Sequence, residues 1–133
     1  MTKFRKQKFK KETSGKLFKV AGDDLYAAEV LFSAPKFRPE TVLYLFQQSI
    51  EKCIKAVLIS RESAVPLSHD IDVLLAELPD DLTSALPEGL GALTQYATIR
   101  RYLDGEELIE MEDIRATLAA SKIVLTWAEK LLK

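Results

Sequence analysis

A chain of 133 residues, 47% of them hydrophobic, is long enough to bury one core without disulfides or a metal. Its single cysteine, Cys53, excludes an internal disulfide, and its apolar runs are far too short to cross a bilayer. We therefore expect one cytoplasmic domain without membrane contact, with Cys53 as a small core residue and with no cofactor.

The net charge of −1 conceals an uneven distribution along the chain. Residues 1–19 carry eight Lys or Arg against one acid, Glu12, which makes this stretch +7 and the remainder −8. We expect residues 1–15 to form a basic arm and residues 16–133 a helical domain. Such an arm attracts RNA by releasing its counterions, and Phe4 and Phe9 can stack on bases. A frayed terminus, or an arm folded against the acidic body, is the alternative.

Four long helices and one short helix are predicted, because apolar residues recur every three or four positions and no stretch alternates with the period of a strand. The helices are expected over residues 16–34, 39–61, 68–78, 88–103 and 112–133, the third being the short one. Pro35 and Pro39 separate the first two, and Ser68 is the expected N-cap of the third. Short connections make neighbours antiparallel, so an all-α, up-and-down bundle is the predicted fold.

The second predicted helix carries large apolar groups on two sides. Phe46 and Ile50 lie on its broad apolar arc, whereas Tyr44, Leu58 and Ile59 bracket the polar stripe on the opposite side. Large apolar groups are not expected around a helix face that is exposed only to solvent. We therefore expect this polar stripe to contact a second copy of the chain in a homodimer. The alternative is scattered exposed apolar residues, which are common. The expected interface comprises Tyr44, Gln47, Gln48, Glu51, Lys52, Lys55, Leu58 and Ile59.

Three segments resemble the prokaryotic HEPN family. They are residues 45–56 (LFQQSIEKCIKA), 68–75 (SHDIDVLL) and 93–102 (LTQYATIRRY), and the similarity in order and spacing extends over roughly residues 16–130. The resemblance implies a dimerising helical bundle, often paired with a minimal nucleotidyltransferase in a toxin–antitoxin system. It also implies that many members are metal-independent ribonucleases, whose site combines Arg-x(4–6)-His motifs from two protomers.

The sequence departs from that family at the catalytic motif. Arg101 stands at the position of the motif arginine, but no histidine follows it, and His69 is the only histidine in the chain. The proline usual after Arg-Tyr is replaced by Leu103. RNA cleavage needs a group that titrates near neutrality, which arginine does not. We therefore expect a non-catalytic or catalytically impaired module that binds nucleotide or RNA phosphate near Arg101 and the second helix, together with a nucleotidyltransferase-type partner.

Two alternatives to this function remain open. One is an active ribonuclease in which Arg101 works with a substitute acid or base such as His69; the other is a purely structural interaction module. The expected phosphate ligands are Arg100, Arg101, Tyr102, Lys52 and Lys55. For the two lysines, a solvated helical face with Glu51 and Lys55 paired is the competing interpretation. The acids of residues 104–113 lack the spacing of a metal site, so no metal is expected.

Overall fold

The computed structural model describes residues 5–97, without the side chain of Ala97, and residues 109–133. The predictions for Arg100, Arg101 and Tyr102 fall outside these residues, as does the C-terminal part of the predicted fourth helix. The described chain is mostly helical, which confirms the all-α prediction.

Helices α1 (Thr13–Ser33) and α2 (Pro39–Ser60) form an antiparallel pair. The buried residues of α1 include Ala21, Leu25 and Ala28, whose spacings of four and three place them on one stripe facing α2. Pro39 begins α2, where a missing N–H costs nothing because the first turn has no intrahelical acceptor for it. Both helices lie within three residues of the predicted bounds.

Helix α2 is the central helix of the domain, with 13 of its 22 residues buried. It contacts α1, the last helix and also the short elements on its other side. Gln47 and Leu58 are 0% exposed, Ile59 is 2% exposed and Glu51 is 3% exposed. The expectation that these four residues face outward is therefore wrong: two of the apolar groups that bracket the polar stripe, Leu58 and Ile59, are covered by the same chain, whereas Tyr44 is half-buried. Self-association itself stays a prediction.

The elements between α2 and the last helix are short, and a five-residue helix and a 3₁₀ helix among them pack on this side of α2. Helix α3 (Ile71–Leu75) and helix α4 (Asp80–Thr83) are followed by a 3₁₀ helix, Leu90–Ala97. The predicted helix over residues 68–78 is thus shorter than expected. Its N-cap is Asp70, whose carboxylate accepts from the backbone N–H of Asp72 at 2.9 Å, and not Ser68.

The last helix, α5 (Met111–Leu132), begins with a reciprocal capping box. The backbone N–H of Glu110 donates to the Asp113 carboxylate at 2.9 Å, and the Glu110 side chain accepts in return from the backbone of Asp113. Its start and end agree with the predicted fifth helix.

A two-residue strand, β1 (Lys6–Gln7), pairs antiparallel with β2 (Val65–Pro66). The backbone N–H of Leu67 extends this pairing by donating to the Arg5 carbonyl at 2.7 Å. The sequence did not predict these strands. Residues 5–7 of the arm therefore pair with residues 65–67 of the body, which agrees, for this part of the arm, with the alternative of an arm folded against the body.

The core consists of two neighbouring hydrophobic clusters that share α2. One is centred on Ile50, Ile54 and Val57, and the other on Leu43 and Phe46. Cys53 is 0% exposed in the first cluster, as predicted, and burial raises the pKa of its thiol to about 12. Across the described residues, no helix is both long and apolar enough to span a membrane.

Candidate functional site

The polar stripe of α2 forms the edge of a cluster that we call the Glu51 cluster: Gln47, Glu51, Lys55 and His69. The first three recur every four residues on α2, so their side chains lie along one line of the helix. His69 comes from the loop between β2 and α3, which packs over that line. The cluster therefore joins two of the segments that carry the family resemblance.

The Glu51 carboxylate is the centre of the cluster and is almost completely buried. Lys55 Nζ donates to its Oε2 at 2.8 Å, and Gln47 Nε2 donates to its Oε1 at 3.2 Å. Gln47 is held in turn, because its Oε1 accepts from Gln48 Nε2 at 2.8 Å. A buried carboxylate with this many donors is well compensated for the loss of water.

His69 adds a third type of partner to Glu51. Its Nδ1 lies 3.1 Å from both carboxylate oxygens. Since an ionised carboxylate only accepts hydrogen bonds, the contact places a hydrogen on Nδ1, and in the neutral form of the ring Nε2 then carries the lone pair. The His69 side chain is 73% exposed, and Nε2 has no hydrogen-bond partner among residues 5–97 and 109–133. The arrangement therefore presents an oriented imidazole nitrogen to solvent.

The loop around His69 is fixed by local contacts. The Ser68 hydroxyl accepts from the backbone N–H of Asp70 at 3.0 Å, and the His69 carbonyl lies 3.5 Å from Gln47 Nε2. The backbone N–H of Ile71 donates to Thr94 Oγ1 at 2.9 Å, which ties the start of α3 to the 3₁₀ helix. The backbone at His69 is therefore fixed by the hydrogen bond between its neighbours Ser68 and Asp70 and by its own carbonyl contact with Gln47 of α2.

The two lysines expected to bind phosphate are already paired within the chain. Lys52 Nζ donates to the Asp24 carboxylate of α1, and Lys55 pairs with Glu51. Their side chains are 25% and 21% exposed, so an external phosphate would have to compete with a carboxylate for each ammonium group. Their role as phosphate ligands stays a prediction, as does that of the arginine–tyrosine run.

Two basic residues of the arm, Arg5 and Lys6, are joined to the segments on either side of the His69 loop. The Arg5–Leu67 hydrogen bond joins the arm two residues before His69, and Lys6 Nζ lies 2.8 Å from Glu77 Oε1. Residues 8–12 leave this anchor and remain exposed up to the start of α1. Their positive charge is therefore held at one end of the domain instead of being spread through a free tail.

Sequence reasoning selected Glu51 and His69 but did not pair them, because 18 residues separate them along the chain. It also missed the anchor of the arm, since a two-residue strand has no detectable alternation. No group of three or more His, Cys, Asp or Glu residues able to hold a metal ion occurs in the described part of the chain.

Comparison with known proteins agrees with this architecture. A family model described as HEPN domain matches residues 14–131, which is most of the chain. The protein therefore belongs to the HEPN domain family. No curated protein and no solved structure matches it.

Proposed function

We propose that this HEPN domain binds RNA or nucleotide phosphates through its anchored basic arm and does not cleave RNA by the usual motif of its family. The observation that carries the proposal is the arm itself: it is basic, exposed over residues 5–12 and bonded to the loop before His69. Anchoring reduces the entropy lost when the arm meets a polyanion. The missing histidine after Arg101 supports binding without cleavage.

The test is binding of a short fluorescent single-stranded RNA, measured by anisotropy. Replacing Lys8, Lys10 and Lys11 together with Gln should weaken binding at least about tenfold, because three phosphate contacts are lost. A matched control replaces three exposed lysines of the body, Lys36, Lys130 and Lys133, with Gln. Equal weakening by both triple variants would show that only net charge matters and would refute a site at the arm.

The proposal includes self-association and a partner, both suggested by the family. Tyr44 and Gln48 are the members of the expected interface that are neither buried nor paired to a carboxylate. A minimal nucleotidyltransferase is the proposed partner protein. Sedimentation of Tyr44→Asp against wild type tests the dimer: an unchanged molar mass for both, at the mass of one chain, would contradict it.

A second function, ribonuclease activity, is favoured by the Glu51–His69 geometry. His69 Nε2 is exposed and oriented to take the proton of a ribose 2′-hydroxyl while the 2′-oxygen bonds to phosphorus and the bond from phosphorus to the 5′-oxygen breaks. The departing 5′-oxygen takes its proton from water. Glu51 would then act as the residue that orients the base.

Incubation of the purified protein with RNA separates the two functions. Binding alone leaves the RNA intact. Cleavage that falls about 10²–10⁴-fold in His69→Gln would favour the second function. Glu51→Gln should then lower kcat with little change in KM, whereas His69-independent cleavage would refute it.

A further inference from the structure

The exposed nitrogen of His69 is a hydrogen-bond acceptor whose orientation is determined by the fold. Nδ1 lies 3.1 Å from both carboxylate oxygens of Glu51, which is itself 3% exposed and also accepts from Lys55 and Gln47. A buried carboxylate that only accepts hydrogen bonds keeps the hydrogen of the neutral ring on Nδ1. The His69 side chain is 73% exposed, so Nε2 offers its lone pair to molecules in solution.

This nitrogen is suited to a hydrogen-bond donor and not to a phosphate. The oxygens of a phosphodiester only accept hydrogen bonds, as Nε2 of the neutral ring does, so the two do not pair. In a nucleic acid the donors are the N–H groups of the bases and the 2′-hydroxyl of ribose. Deoxyribose has no 2′-hydroxyl, and the backbone of DNA therefore offers His69 no donor.

The anchor of the arm lies close to His69. The backbone N–H of Leu67 donates to the Arg5 carbonyl at 2.7 Å, next to the paired strands β1 and β2. Leu67 precedes His69 by two residues, which limits the separation of their Cα atoms to roughly 7 Å. Leu67 is itself 52% exposed, so the surface between the arm and the imidazole is open to solvent. A strand bound at the anchored end of the arm can therefore reach Nε2 within a few nucleotides.

We infer that Nε2 of His69 accepts a hydrogen bond from the 2′-hydroxyl of an RNA strand bound by the arm, and that this contact selects RNA over DNA. The inference rests on the proposed function, because the arm supplies the affinity and His69 supplies the choice of sugar. A ribose hydroxyl is a better match than a base N–H, since it recurs at each nucleotide and charge contacts with the arm carry no sequence information. The contact transfers no proton, which separates it from ribonuclease activity. Glu51 is a positioning residue that keeps Nε2 in its accepting form.

The test measures fluorescence anisotropy with three labelled strands of about twelve nucleotides: RNA, DNA and 2′-fluoro RNA. Their sequence contains only adenine and cytosine, so that all three strands carry the same bases. The fluorine preserves the sugar conformation of RNA and removes the donor. We expect the wild type to bind RNA about three- to tenfold more tightly than either of the other strands, which is the effect of one neutral hydrogen bond.

Two variants of the pair and one control complete the test. His69→Phe keeps an exposed ring and removes the acceptor, so the affinities for the three strands should agree within about twofold. Its salt dependence should match that of the wild type, since no phosphate contact is lost. Glu51→Gln should also reduce the preference for RNA, because it shifts the ring hydrogen toward Nε2. The control is Tyr26→Phe, which removes an exposed hydroxyl group of α1 and should keep the full preference.

The inference and the proposed function fail in different ways. Replacing Lys8, Lys10 and Lys11 with Gln should weaken RNA and DNA binding by the same factor and leave their ratio unchanged. Equal affinity of the wild type for all three strands would overturn the inference and leave the proposed function standing. A preference for RNA that persists in His69→Phe would assign the choice of sugar to another residue and would overturn it as well. An equal loss of affinity for all three strands in His69→Phe would identify a base N–H as the donor instead. Absence of binding to every strand at low salt would refute the proposed function together with the inference.

Discussion

Replacing Glu51 with Gln tests whether the buried carboxylate organises the candidate site. The substitution keeps the shape of the side chain and removes its charge. Glu51 uses Oε2 for Lys55, at 2.8 Å, and both of its oxygens lie 3.1 Å from His69 Nδ1. A carboxamide has one accepting oxygen and one donating nitrogen, so one of these donors will meet an NH₂ group.

The expected loss of stability follows from these contacts. A charge-assisted hydrogen bond contributes about 1.5–3 kcal/mol. The exposed His69 ring can turn toward water, and Lys55 is 21% exposed, so we expect the lower part of that range, about 1.5–2 kcal/mol. For a domain of this length the melting temperature should fall by roughly 5–10 °C.

The assay is thermal and urea unfolding followed by circular dichroism. The matched control is Glu112→Gln on α5, because Glu112 pairs with Arg115 and the two side chains are 81% and 61% exposed. This pair should contribute less than about 1 kcal/mol. If the two variants have the same melting temperature, the Glu51 carboxylate does not stabilise the cluster.

Nitrogen NMR of the same variant reports on the imidazole itself. Since His69 is the only histidine, its ring signals are assigned without ambiguity. At a pH where the ring is neutral, the wild type should show the hydrogen on Nδ1, and Glu51→Gln should shift the population toward the Nε2–H form. An Nε2–H ring in the wild type would refute the geometry of the pair.

Three further predictions concern the fold and are checked by unfolding or labelling. Phe46→Leu should cost about 1–2 kcal/mol in urea unfolding, because Phe46 is 0% exposed in a packed cluster; a loss below about 0.5 kcal/mol would contradict that packing. Glu62 has φ 60° after α2, and the N–H groups of Glu62 and Ser63 close the helix on the carbonyls of Ile59 and Leu58, so Glu62→Gly should raise stability by about 0.5–1 kcal/mol. The native Cys53 thiol, with its pKa raised from 9.0 to about 12, should resist alkylation at pH 9. Because the unfolded thiol ionises first, its contribution to stability is complete below about pH 9 and declines as the pH rises toward 12, a decline that Cys53→Ala should lack.

The long helices could be predicted from the sequence for local reasons. Pro35 and Pro39 mark the connection between α1 and α2, and the repeating apolar positions determine which face of α1 is buried. These signals depend on neighbours within a few residues, which is the range that a single sequence reveals.

The predictions that were wrong or missing concern contacts between segments that lie far apart in the sequence. Periodicity showed that α2 has apolar groups on two sides, yet it could not show that α3 and the 3₁₀ helix cover the second side, and so Leu58 and Ile59 were assigned to a partner. Glu51 and His69 come together only through the path of the loop between β2 and α3. The anchor of the arm depends on backbone pairing between two two-residue strands, for which the side chains give little signal in the sequence.

The central claim, that the anchored arm binds RNA phosphates, is tested most directly by the salt dependence of binding. For single-stranded RNA each neutralised phosphate contributes about −0.7 to the slope of log K against log salt. Replacing Lys8, Lys10 and Lys11 with Gln should therefore reduce the magnitude of that slope by about 2. The same slope in wild type and triple variant, with equal affinity, would contradict binding at the arm.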